Sequence, residues 1–311
     1  MAAEGTPAAY EAVSARRRRG FRLRSLERHP VGYLFVLPYV VFFGAMIAYP
    51  LGFAVYLSFH NWNIVQTEKP WVGLDNFDRL IHDSLFWQSL RNTVKFIIVN
   101  VPVTVVVSLI LAVALNRGIK GRAFFRTAYF LPYVTAGVVI ALIWKWMFST
   151  EGGVINNALG HIGLGGIGWL TDPFWSMITI ALMVAWKQMG FYVILYLGGL
   201  QGIPQTLYEA AEVDGANAFQ RFWSITIPQL RPITLLVVIL STIIGFQLFT
   251  EPYIMTGGGP LNSSLSVVLY IYQKAFQSLE FGYAAAIGMV LAAIIMLTAA
   301  IQRFVLEREH A

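Results

Sequence analysis

The chain of 311 residues contains no cysteine, which excludes disulfides, thiolate nucleophiles and cysteine-based metal or redox centres. Charge is scarce as well. Asp, Glu, Lys and Arg make up 12% of the sequence against 57% hydrophobic residues, and the mean hydropathy is +0.62. That balance is too apolar for a soluble domain of this size and belongs in lipid. No G-x-x-x-x-G-K-[ST] run occurs, so the chain has no P-loop with which to cradle ATP phosphates. Its five histidines, His29, His60, His82, His161 and His310, are scattered, and no His or carboxylate cluster falls inside an apolar run. A membrane-bound enzyme is therefore disfavoured.

What is present is a series of long apolar runs. Measured against the roughly 20 residues that cross a bilayer, six qualify: Val31 to Leu57, Thr93 to Leu115, Thr127 to Phe148, Phe174 to Leu200, Ile233 to Phe249 and Tyr283 to Phe304. The expected fold is all-α and polytopic, with an Arg-rich tail at 1–30 and a single transmembrane domain at 31–311. The first run is about twice the apolar length of a signal peptide, has no small-residue cleavage site after it, and reads as an anchor. Basic residues set the orientation. Arg16, Arg17, Arg18, Arg19, Arg22, Arg24 and Arg28 precede the first run, and Arg117, Lys120, Arg122 and Arg126 follow the second. Arg221, Arg231, Arg303 and Arg308 fall on the same side, whereas Glu151 to Pro173 and Thr250 to Ser266 hold no Lys or Arg. The positive-inside rule places both termini in the cytoplasm. The formal charge of +6 comes largely from the tail, which reads as a topology signal touching anionic lipid rather than as a nucleic-acid arm.

Between the fourth and fifth runs lies a polar island, the loop 201–232. Pro204 to Asp214 is expected to be a helix stopped by Gly215, and a second helix should carry Phe219, Phe222 and Trp223 until Pro228 and Pro232 end the segment. Ala210, Ala211, Gly215 and Ala216 give a small-residue face that a groove can accept. The ordered set Glu209, Ala210, Ala211, Asp214, Gly215, Ala216, Phe222, Ile225 and Pro228 resembles the EAA signature of permease subunits of binding-protein-dependent ABC importers. The resemblance implies that this segment, Phe219 included, is a coupling helix docking into a separate ATPase. It also implies a second permease subunit, two ATP-binding cassette subunits that use ATP and Mg, and an extracytoplasmic solute-binding protein. No cofactor is implied for this chain itself, and the setting implied is the cytoplasmic (inner) membrane of a bacterium or archaeon.

Lys187 stands about 13 residues from either end of the fourth run, roughly 20 Å at the helical rise, too far to snorkel. A cation there is expected to face a wet cavity or an anionic partner. Gln188 and Phe191 are placed on its face, a combination of amide, ammonium and aromatic ring suited to a polyhydroxylated solute. The fifth run ends in Gln247, Leu248, Phe249, Thr250 and Glu251, with Gln247 and Glu251 four apart and so expected on one helical face. Glu251 either partners Lys187 or caps the span. A similar aromatic and polar run before a T-x-G-G-P turn lines the translocation path in the maltose-type larger subunit, which implies that Gln247, Phe249 and Glu251 belong to such a path here. Trp71 to Phe77, Arg122 to Thr127 and Asn156-Asn157 also resemble carbohydrate-importer permeases. The likeness covers about Tyr33 to Phe304 and omits the extra N-terminal spans and large periplasmic insertion of the maltose protein, so maltose itself is not implied.

A sugar or oligosaccharide is the solute class implied. A glycerol phosphodiester or other polyol derivative remains open, as does a self-sufficient secondary transporter, although the two halves show no convincing inverted repeat. Gly163 to Gly168 satisfies G-x-G-x-x-G without a strand before it or an amphipathic helix after it, and reads as a flexible loop. Asn262-Ser263-Ser264 is a formal glycosylation sequon expected to be unmodified.

Overall fold

The computed structural model describes residues 30–116 and 121–308; most of the Arg-rich tail, Arg117, Lys120 and His310 lie outside them. The described residues fall into two units that divide between Phe53 and Ala54. In the first, helix Pro30–Phe43 runs into a π turn, Gly44–Ala48. The stretch Tyr33–Ser58 is long and apolar enough to cross a membrane.

The described residues of the second unit form helices joined by turns and loops, and strand pairing among them is confined to two isolated bridges, His60 with Trp71 and Asn63 with Glu280. Ser84–Asn116, Trp175–Gly202 and Phe281–Val305 are each long enough to span a bilayer, and two bent helix pairs bring the candidate spans to as many as six.

The spine is the packing of Ser84–Asn116 against Trp175–Gly202. Along the first, Ser89, Thr93, Asn100, Thr104, Ser108 and Ala112 are buried on one helical face, at steps of four residues with one step of seven. A seam of small residues is what lets helix backbones approach in lipid, where apolar side chains gain nothing by leaving the tails. Its polar groups are mostly satisfied. Ser89 and Thr93 donate to carbonyls of their own helix, Asn100 donates to the Ala181 carbonyl at 3.0 Å, and Ser108 donates to that of Met189 at 3.3 Å. Gly190 meets the Tyr129 carbonyl so closely that a Cβ there would lie 2.0 Å from the oxygen, which excludes any larger residue.

Three of the expected spans differ in detail. The second belongs to a helix that starts at Ser84 rather than Thr93. The third is broken rather than continuous: helix Arg122–Val134 and helix Gly137–Met147 meet at 97° because Thr135 and Ala136 take extended backbone, with ψ of 142° and 125°. The fifth begins earlier than expected, as helix Arg231–Phe246. Pro232 starts this helix instead of ending the preceding segment, since a missing N–H costs nothing in a first turn. The helix also stops three residues early, at Phe246, and a separate short helix, Thr250–Met255, follows. Gln247 and Glu251 therefore do not share a helical face.

Candidate functional site: a paired cation in a cavity and an apolar-tipped turn

Lys187 lies in the middle of helix Trp175–Gly202, and its ammonium donates to Glu251 Oε1 at 3.0 Å. The side chains are 17% and 10% exposed. Of the two roles open to Glu251 in sequence, the structure selects the partner rather than the cap. The contact joins three elements, because a Cβ at Gly137 would lie 2.7 Å from Lys187 Nζ and 3.8 Å from Glu251 Oε1. Gly137 opens the second limb of the broken third span. The ion pair thus sits where two interrupted spans meet a continuous one, and irregular backbone is tolerated at membrane depth only against protein or a wet cavity.

Such a cavity is present, with a volume of about 170 Å³. Gln188, Gln247, Phe249 and Asn100 line it beside Lys187 and Glu251. Among the described residues the side-chain amides of Gln188 and Gln247 have no hydrogen-bond partner, so both stand ready for hydroxyl groups. Phe191 is outside the cavity. One turn further along the same face of the helix, its ring stacks on Tyr133 at 4.9 Å with an interplanar angle of 14°. Sequence spacing missed Asn100 and Gly137, since neither a buried amide nor a glycine announces what it faces.

The turn at 201–232 is held by several independent local devices. Helix Gln205–Val213 ends with Gly215 at φ +79°, the Gly215 N–H bonded to Glu212 O and the Ala216 N–H to Ala211 O. This pair of bonds is the Schellman closure that a left-handed glycine permits. Asn217 and Gln220 then form a reciprocal capping box at 2.9 and 2.8 Å, opening the short helix Ala218–Arg221. Arg221 pairs with Glu212 at 3.1 Å, and Tyr208 shares a hydroxyl hydrogen bond with Thr226.

The tip is apolar and open. Glu209, Ala210, Asp214 and Gly215 are exposed, Ala211 and Ala216 half-buried. Val213 is 89% exposed and Phe219 72%, and Trp223 is also exposed. Phe219 and Trp223 border a shallow hollow with Gln220 and Ser224. Phe222 is half-buried at the start of a π turn, Phe222–Thr226, and Pro228 lies in the turn of helix that follows.

A further cluster was not foreseen. Asp83 accepts hydrogen bonds from the hydroxyls of both Tyr270 and Tyr283 at 2.5 Å and from the backbone N–H groups of Leu85 and Phe86. Burial pushes the Asp83 carboxyl up, but the two hydroxyls and the two amides outweigh it and hold the group below its usual range. Beside it Arg79 grips Glu280 with both carboxylate oxygens in reach, at 3.2 and 3.0 Å, and Lys274 approaches Glu280 at 3.4 Å. Contacts 187 and 200 positions apart leave no local signal.

Residues 104–309 match the family model described as binding-protein-dependent transport system inner membrane component. The chain is 40% identical over 285 residues to the lactose transport system permease protein LacF of Rhizobium radiobacter, covering 90% of this chain and 94% of that one. It is 34% identical over 309 residues to the arabinooligosaccharides transport system permease protein AraP of Halalkalibacterium halodurans, covering 98% and 97%. In fold it matches a chain in the crystal structure of a bacterial ABC transporter involved in the import of the acidic polysaccharide alginate. That match has a TM-score of 0.76 and 22% identity, and covers 98% of this chain and all of that one.

Proposed function

Since this chain belongs to the family of binding-protein-dependent transport system inner membrane components, multi-pass permeases of the inner membrane, we propose that it is one of two permease subunits of an ATP-driven sugar or oligosaccharide importer. The observation that carries the proposal is the turn between helices Gln205–Val213 and Ala218–Arg221. Its backbone is fixed by the Schellman closure and the capping box while Val213, Phe219 and Trp223 stand in the open. A rigid apolar projection loses little conformational entropy on docking, so its burial contributes to binding rather than to ordering. Two separate ATPase subunits, one beneath each permease, supply the groove and consume ATP with Mg.

Both termini and the turn face the cytoplasm, following the Lys and Arg asymmetry. A solute-binding protein delivers the solute on the opposite side. Closure of the ATPases brings the coupling turns of the two permeases together and shifts the population of the spans between outward- and inward-open states. The solute passes the cavity of Lys187, Gln188, Gln247, Phe249 and Glu251.

Charge decides between the solute classes. Glu251 already neutralises Lys187, so the cavity presents two free amides and an aromatic ring with no net positive charge. That lining favours a neutral polyhydroxylated solute over a phosphodiester. The relatives' names agree, one naming lactose and the other arabinooligosaccharides.

The test is co-purification. The chain pulled from membranes is expected to bring a second permease and an ATPase whose hydrolysis rises with the loaded binding protein. A chain that purifies alone and still moves solute would overturn the proposal.

A further inference from the structure

Five aromatic rings lead away from the cavity in unbroken contact. Phe249, which lines the cavity, lies 5.4 Å from Tyr253 at an interplanar angle of 14° and 5.2 Å from Tyr272. Tyr253 and Tyr272 are 5.4 Å apart, Tyr272 is 5.4 Å from Phe276, and Phe276 is 5.7 Å from Phe281. Phe249 precedes helix Thr250–Met255, which carries Tyr253; Tyr272 ends helix Val267–Tyr272, Phe276 lies in the π turn Gln273–Gln277, and Phe281 starts helix Phe281–Arg308. The far end is next to Glu280, which bridges to Asn63 in the loop after the first apolar run.

Neither a packed core nor a lipid face accounts for this row. Core rings are buried, yet Tyr253 is 41% and Phe276 62% exposed. A face turned to lipid carries no unsatisfied polar groups. Here Gln247, which lines the cavity with Phe249, and Gln277, next to Phe276 in the chain, are exposed, and among the described residues their side-chain amides have no hydrogen-bond partner. Aromatic plates flanked by free amides are the surface a pyranose or furanose chain uses. The electron-rich ring faces attract its C–H side while the amides take its hydroxyls. A single π turn, closed by Ser278 N–H on Gln273 O, carries Phe276, and such bulges recur at functional sites.

We propose that Phe249, Tyr253, Tyr272, Phe276 and Phe281 form a track along which a carbohydrate chain, longer than the cavity holds, slides end-on between the outer mouth and the Lys187–Glu251 cavity. The inference rests on the carbohydrate importer reading and sharpens it: the solute is an oligosaccharide, and units outside the cavity remain bound to the rings.

The experiment uses the assembled transporter, with its second permease, ATPases and binding protein, in lipid vesicles. Pools of arabino-, gluco- and galacto-oligosaccharides from disaccharides to hexasaccharides are offered outside, and the lumenal content is resolved by mass. Tyr253→Leu combined with Phe276→Leu keeps apolar bulk and removes the flat faces. Uptake of the longest components is expected to fall roughly tenfold relative to the disaccharides. Equal uptake at every length, or an equal loss at every length, would overturn the track and leave the importer reading intact. Reduced assembly with normal uptake per assembled complex would show the rings to be subunit packing and would overturn it too. A parent complex that imports none of the pools would remove the carbohydrate reading and the track with it.

Discussion

Lys187 and Glu251, 64 positions apart, meet at 3.0 Å in the middle of helix Trp175–Gly202. Neither the charge at mid-helix nor the break after Phe246 makes sense alone. Together they put an ion pair and two free amides at the junction of two interrupted spans, the lining that the proposed solute path requires.

Removing one partner leaves the other charge stranded. Lys187→Met is expected to lower stability by about 3–5 kcal/mol, the usual cost of breaking a buried pair from one side. Adding Glu251→Gln should recover that stability without recovering uptake, because the amide-and-ion lining stays altered. Thermal unfolding in detergent and uptake in vesicles separate the two readouts. Full uptake by Lys187→Met would refute the path, and rescue of uptake by the double change would reduce the pair to structure.

At the projecting turn, Gly215→Asp puts a side chain and a charge where φ is +79°, a conformation that costs a non-glycine residue about 1–2 kcal/mol. Ala211→Arg blocks the small face without touching that dihedral. Both variants are expected to insert normally and to lose the ATPase in pull-down, together with solute-stimulated hydrolysis. Normal assembly and stimulation in both would remove the coupling role.

The absence of native cysteine makes topology directly measurable. Gly166→Cys should react with an impermeant thiol reagent on intact cells, and Gln220→Cys only after permeabilisation. The opposite pattern would reverse the orientation and place the turn away from ATP.

Asp83 gives a pH dependence of known sign. Its carboxyl is held below the usual value of 3.8, so its contribution to stability is complete above that value and is lost as pH falls through the lower folded value. Asp83→Asn is expected to cost about 1.5–3 kcal/mol at neutral pH, the range for hydrogen bonds to a charged group, and to flatten this part of the acid unfolding curve. An unchanged acid profile would mean that the two tyrosines do not hold the carboxylate.

The sequence was most informative where structure is local. The helix from 205, the stop at Gly215 and the aromatic spacing of Phe219 and Trp223 all follow from propensity and capping, and the structure has them. Lys187 declared itself through the cost of a mid-helix cation, and its partner was already a candidate. What could not be read depends on long-range geometry. The 97° break at Thr135 and Ala136 is flanked by Pro132 and Gly137, a weak breaker signal inside a run whose apolar length reads as continuous, and the stop at Phe246 moved Gln247 off the face it was expected to share with Glu251. Phe191 had the right spacing on paper, yet its ring turned to Tyr133. The Asp83 cluster and the ring track join residues from distant helices, for which periodicity offers no sign.

The most direct test of the account is sided uptake by vesicles holding the assembled transporter, with ATP and Mg on the face of the turn and the loaded solute-binding protein on the other. The account predicts that solute accumulates only when both are present on those opposite faces. Accumulation without ATP, driven by an ion gradient alone, would contradict it.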